Sequence, residues 1–174
     1  MSYSLSITET DLMTAIGNYL TTILPAGTVI LQSQQNRIPM PDTPNWVTIN
    51  SILGQRIATN VDTWSNAGTP TTQTVATSTR QDVQVDCYGP LGHDNATVIS
   101  NLFFDDYTVQ FFAASGFDIA PLYASDLRNL QFINDQSQYE KRWSLDLSLE
   151  VNPVMSVPQQ FAGALGPVKL VDIP

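Results

Sequence analysis

The chain has 174 residues with 16 acidic against 7 basic side chains, a net charge of −9, and only Lys141–Arg142 are adjacent basics; that excludes the clustered lysine and arginine a phosphate backbone requires. The length suits one domain able to bury roughly 70% of its unfolded surface, and the single cysteine, Cys87, excludes an intramolecular disulfide and a thiolate metal cage, which suits a reducing compartment. No run reaches the ~18 apolar residues of a membrane span, the opening MSYSLSITETD lacks a signal peptide's basic and apolar regions, and a low charged fraction of 13% suggests a polar surface that meets other proteins.

In chain order, the first helix is expected from about Thr8 to Leu24. Thr8 and Asp11 stand at N-cap spacing, and Leu12, Ile16, Tyr19, Leu20 and Ile23 form one apolar stripe that Pro25 and Gly27 terminate. A short strand follows over Thr28–Ser33, then an extended segment, Gln34–Asn45, held irregular by Pro39, Pro41 and Pro44. Trp46–Ile57 reads as a strand with Val47, Ile49 and Leu53 on one face and Gly54 as a bulge or bend. Asn60–Thr79 is Thr-rich with a turn at Asn66, Gly68 and Pro70; a polar β-hairpin projecting from the body and a structureless loop fit it equally.

Arg80–Tyr88 alternates Val83, Val85 and Cys87 with Asp82, Gln84, Asp86 and Tyr88. Lys141–Asn152 alternates still more cleanly, with Trp143, Leu145, Leu147, Leu149 and Val151 on one face, so the two are expected to pair as half-buried antiparallel strands. Between them, Asp94 or Asn95 is expected to cap a helix to about Phe104 whose buried side is Val98, Ile99, Leu102 and Phe103. Asp105–Asp106 then cap a shorter helix through Ala114 carrying Val109, Phe111 and Phe112, which Gly116 stops. Asp118–Tyr123 looks like a strand, and Ser125–Ser137 is a loop with enough apolar residues to pack on the body. After Asn152–Pro153 the chain is expected to leave the sheet. Val154–Pro174, rich in proline and glycine but ending VKLVDI, fits an arm added to a neighbouring subunit or one folded back on its own domain.

The fold expected is therefore α+β, a mostly antiparallel β-sheet with helices packed on one face, plus a projecting β-hairpin and an extended C-terminal arm. Residues 1–153 form one domain and 154–174 the arm. Chemistry is sparse. His93, the only histidine, sits in a turn, and no G-x-S-x-G elbow accompanies it. Cys87 falls on an apolar strand face, where it acts as a small hydrophobe. Asp82 and Asp86 share a strand face that reads as solvated rather than as an acid/base couple, and no P-loop, GxGxxG, EF-hand or metal-spaced cluster occurs. No catalytic residue, metal or cofactor is expected. Aromatics clustered on one exposed face would indicate a carbohydrate-binding module, but Trp46, Trp64 and Trp143 are dispersed.

Several patches, in order, resemble one family: Gln34-Gln35-Asn36-Arg37 with Pro39; Arg56 followed by Thr59-Asn60-Val61-Asp62; Asp86-x-Tyr88-Gly89-Pro90 with Asp94-Asn95-Ala96; Pro121-Leu122-Tyr123; Phe132-Ile133-Asn134; and Gln138-Tyr139-Glu140 with Arg142-Trp143 and Asn152-Pro153. Over about Gln34 to Pro153 the chain is similar to the neck or tail terminator proteins of contractile-tailed phages and prophages. The resemblance implies a small α/β structural protein of the virion, assembled in the host cytoplasm into a homo-oligomeric, typically hexameric ring. Such a ring stops polymerisation of the tail tube and joins it to the head connector and neck proteins, possible contact with the sheath included, while DNA passes through its lumen without specific binding. The closest alternative is another tail-completion or baseplate adaptor protein. For subunit contacts the sequence offers Arg37, Arg56 and Arg80, since few cations must serve many acids, with Trp64 on the hairpin and Phe161, Leu170 and Val171 on the arm.

Overall fold

In the computed structural model, which describes residues 4–34, 39, 41–65, 71–133 and 139–159, three helices cover one face of a mostly antiparallel sheet. The elements run β1 (Ser4–Leu5), α1 (Glu9–Ile23), β2 (Val29–Gln32), β3 (Trp46–Arg56), β4 (Val61–Ser65), β5 (Thr71–Ala76), β6 (Thr79–Tyr88), α2 (Gly92–Phe103), α3 (Asp106–Ala113), β7 (Ile119–Ala124), β8 (Arg128–Asn129), β9 (Phe132–Ile133), β10 (Tyr139–Glu140), β11 (Arg142–Val151) and β12 (Val154–Gln159). The main sheet has the order β2-β3-β6-β11-β7, with β8 also on β11; a second has the order β1-β12-β5-β4, and β9 pairs with β10. Among the described residues only the β2–β3 pair is parallel.

The two larger sheets share a backbone ladder. β11 lies on β6 from Arg142 opposite Tyr88 to Val151 opposite Thr79. The same register continues from Val154 opposite Ala76 to Gln159 opposite Thr71. The Thr77 amide donates to the Pro153 carbonyl at 3.2 Å, so the chain crosses Asn152–Pro153 without slipping. The segment after Pro153 thus leaves the main sheet yet keeps the same neighbour, as β12. The hairpin read in Asn60–Thr79 is β4 on β5, Val61 opposite Ala76. The arm beyond Gln159 lies outside the described residues.

Helix α1 begins as its sequence dictates. Thr8 Oγ1 accepts the Asp11 amide at 3.2 Å and Asp11 Oδ2 accepts the Thr8 amide at 2.9 Å, a capping box with aspartate in the usual Glu/Gln position. Its stripe, Leu12, Ile16, Tyr19 and Leu20, packs on Val47, Ile49, Val83, Val85, Cys87, Leu145, Leu147 and Leu149. Tyr19 joins all three helices. The Thr108 hydroxyl gives its one hydrogen to the Leu102 carbonyl at 2.6 Å, so at the 2.7 Å Tyr19–Thr108 contact Tyr19 must donate. Phe103, Phe111 and Phe112 ring it at 6.4, 5.5 and 5.4 Å between centroids.

Three expectations are corrected. First, α2 starts at Gly92 with no side-chain cap, rather than from Asp94 or Asn95. Its start is fixed by backbone packing: a Cβ at Gly92 would come within 2.8 Å of the Cys87 carbonyl, and one at Gly89 (φ +87) within 1.8 Å of the Pro44 carbonyl. Second, the buried stripe of α2 is Gly92, Asn95, Ala96, Ile99 and Phe103, and Val98 is exposed; on α3, Phe112 is buried while Val109 faces out. Third, Asp82 and Asp86 are not solvated. Each is only 7% exposed, because longer side chains fold over them, Arg80 and Gln84 from their own strand and Arg142 from β11.

Candidate assembly interface

The face of the main sheet opposite the helices is built in rows across β3, β6 and β11: Trp46–Tyr88–Arg142, Thr48–Asp86–Ser144, Asn50–Gln84–Asp146, Leu53–Asp82–Ser148 and Gln55–Arg80–Glu150. Arg80 holds Asp82 with both arms of its guanidinium, Nε to Oδ1 at 2.8 Å and Nη2 to Oδ2 at 3.0 Å, and Ser148 Oγ donates to Asp82 Oδ1 at 2.6 Å. Arg142 Nη2 donates to Asp86 Oδ2 at 2.8 Å, and Gln84 Nε2 bridges Asp86 Oδ1 and Ser144 Oγ at 3.1 and 3.0 Å. Arg128 meets Asp146 at 2.7 Å. Hydrogen bonds to Asp82 and Asp86 raise the two guanidiniums above the usual arginine range. Trp46 stacks on Tyr88 at 3.7 Å and 5°. Arg80, Arg128 and Arg142 are therefore committed within the chain, while Arg56 and Lys141 make no ion pair among the described residues.

The edges of the main sheet differ. β2 covers β3 only from Trp46 to Ile49. Beyond that β3 has β6 as its only neighbour among the described residues. The Ile57 amide donates to the Ser78 carbonyl at 3.1 Å, so alternation along the ladder turns the backbone N–H and C=O of Gly54 and Arg56 outward. A bulge lies between Ser51 and Leu53, and Ile52, Leu53, Arg56 and Ile57 are all exposed. β4 continues that side with Val61 and Trp64 exposed. The opposite edge, β7, carries Pro121 and a register shift, both of which blunt strand addition. Here α3 packs on β7, and Phe104, Tyr107, Val109, Leu122 and Tyr123 are exposed, with Phe104 edge-on to Tyr123 at 5.8 Å.

The sequence model of a family described as phage neck terminator protein matches residues 10–172. The chain belongs to that family. Among solved structures it is similar to the sheath/tube terminator of an extracellular contractile injection system, PVC, in its extended state, with a TM-score of 0.49 and 11% identity over 97% of this chain. It spans 63% of the length of that protein. No curated protein matches it.

Of the residues the sequence offered for subunit contacts, Arg56 and Trp64 are exposed on the β3 and β4 side, whereas Arg80 is joined to Asp82 and Ser148 of its own chain. Arg37, Phe161, Leu170 and Val171 lie outside the described residues. The sequence reading missed the apolar surface from Phe104 to Val109. Phe104 is the C-cap of α2 and Asp105 the N-cap of α3, so this stretch lies between two helices, where no helical period marks the outward side. The two residues weighed for catalysis have packing explanations. The His93 ring sits edge-on to Trp143 at 4.6 Å. Burial first, and then the Asp86 charge, pushes the Cys87 thiol up to about 12, so it stays protonated and unreactive near neutral pH.

Proposed function

We propose that this chain is a structural virion protein that assembles into a closed ring, six copies being the expected number, at the neck end of the tail tube. There it stops tube polymerisation and presents the joint to the head connector, with the sheath as a further neighbour. The observation that carries this reading is family membership across residues 10–172. The architecture supports it. A rigid helix-backed sheet with apolar residues left on both edges suits a subunit that repeats side by side. The β4–β5 hairpin and the chain beyond Gln159 then serve as arms reaching neighbouring subunits. The ring's work is steric and electrostatic, with no reaction and no cofactor. With net charge −9 per subunit, its lumen repels a passing phosphate backbone.

The test is polymerisation of purified tube protein with and without this chain, imaged by negative-stain electron microscopy. Rings at one end of each tube, and a mean tube length that shortens as the chain is added, are expected. Tubes of unchanged length with bare ends would overturn the proposal.

A further inference from the structure

The two edges of the main sheet carry apolar patches of unlike charge. On the β3 side, Ile52, Leu53 and Ile57 are 46%, 51% and 49% exposed, and Arg56 stands among them without an ion pair to any of the described residues. On the other side, Phe104, Tyr107 and Val109 are 60%, 45% and 49% exposed, with exposed Asp105 and Asp106 between them. The strand order β3-β6-β11-β7 separates these sides by three strand spacings, about 14 Å, before side chains are added. We propose that these surfaces meet between successive copies of this chain: the β3 edge around Arg56 of one copy seats against Phe104–Val109 of the next, with Arg56 facing Asp106. This inference rests on the ring reading and assigns the contact that closes the ring.

Charge decides the pairing. Two β3 edges face to face would bring Arg56 towards Arg56, and two α3 surfaces would bring Asp106 towards Asp106; only the unlike pair matches. Location agrees, since unlike patches on opposite edges give a head-to-tail contact, which rotation closes into a ring. The contact is made by side chains, because Pro121 bars β7 from extending the ladder. Asp105 is already occupied, accepting the Tyr107 amide at 2.9 Å as the α3 cap. Among the described residues Asp106 makes one side-chain hydrogen bond, accepted from the exposed Gln110, and it is the acid that can turn to a partner.

The experiment uses the full chain as wild type, Arg56→Glu, Asp106→Arg and an equimolar mixture of the two variants. Assembly is followed by light scattering behind a sizing column and by ring counts on tail-tube ends; circular dichroism checks that each variant folds. Each single variant places like charges at every contact, so the concentration for half assembly should rise about tenfold or more. The mixture should recover assembly, because alternating copies restore an unlike pair at each contact. Wild-type assembly with unaffected variants, or a mixture no better than its components, overturns this contact and leaves the ring reading standing. A wild type that assembles neither in solution nor on tubes overturns both.

Discussion

The shared ladder of Thr71–Tyr88 against Arg142–Gln159 has two halves that differ in everything but register. In the half formed by β6 and β11, Val83, Val85, Cys87, Leu145, Leu147 and Leu149 are fully buried under the helices. In the half formed by β5 and β12, no residue from 72 to 76 or from 154 to 159 is buried. The backbone hydrogen bonds are alike, so they do not set the difference. Each such bond is nearly balanced by the bonds with water that it replaces, whereas a covered apolar face adds its full burial term. One half is stabilised by the helices packed on it. The other lies beyond the helix layer, with its described residues half-buried.

The widest gap between the halves should appear on truncating one apolar side chain in each. Leu147→Ala removes a fully buried side chain from the helix-covered half and should cost about 2–5 kcal/mol, with little collapse in so dense a core. Val75→Ala, in the uncovered half, should cost less than about 1 kcal/mol. Urea unfolding of the two variants measures both. Equal losses would mean that the uncovered half is as much a part of the stable body as the other.

Arg142→Ala probes the opposite face of the helix-covered half. It leaves Asp86, 7% exposed, with the Gln84 amide as its remaining side-chain partner among the described residues, and should cost about 2 kcal/mol. Arg142→Met, which restores the bulk over Tyr88 without the charge, separates packing from pairing. If Met recovers the whole loss, the ion pair contributes little and the polar face is held by its side-chain stems.

Much of the covered half was legible because its signals are local and repeated. Period-two alternation over Arg142–Val151 and Arg80–Tyr88 marks two strands and the face each buries, and the Thr8–Asp11 box marks the start of α1. What escaped the sequence depends on neighbours distant in the chain. Asp82 and Asp86 look solvated by alternation alone; their burial comes from Arg80, Arg142 and the serines across the strand pair. The Tyr19–Thr108 bond spans 89 residues and carries no periodic trace. The same holds for the candidate interface. Scarcity of cations pointed to Arg56, but its exposed setting arises because β2 stops opposite Ile49. The Phe104–Val109 surface was obscured because it spans the turn between α2 and α3, where Phe104 caps one helix and Asp105 the next and no helical period marks the outward side.

The smallest predicted effect lies in the alkaline range and also separates the halves. Cys87 is fully buried in β6, and its thiol, pushed up to about 12, keeps its proton in the fold well above the ordinary value of 9.0. The unfolded chain releases that proton first, so this contribution to stability is complete below pH 9 and falls as pH rises from 9 towards 12. At about pH 9.5 the loss is about 0.8 kcal/mol, before the raised tyrosines Tyr19 and Tyr88 take much part. Stability from urea titrations at a series of pH values should show this decline in the wild type and a flatter profile in Cys87→Ala, whatever that variant loses at neutral pH. Amide exchange over the same range should show the loss in β6 and β11, whose opening is governed by global unfolding, and not in β5 and β12 if they open on their own. An unchanged pH slope in Cys87→Ala would assign the alkaline loss to other groups. Exchange that accelerated equally in both halves would show that the ladder opens as one unit despite its uneven cover.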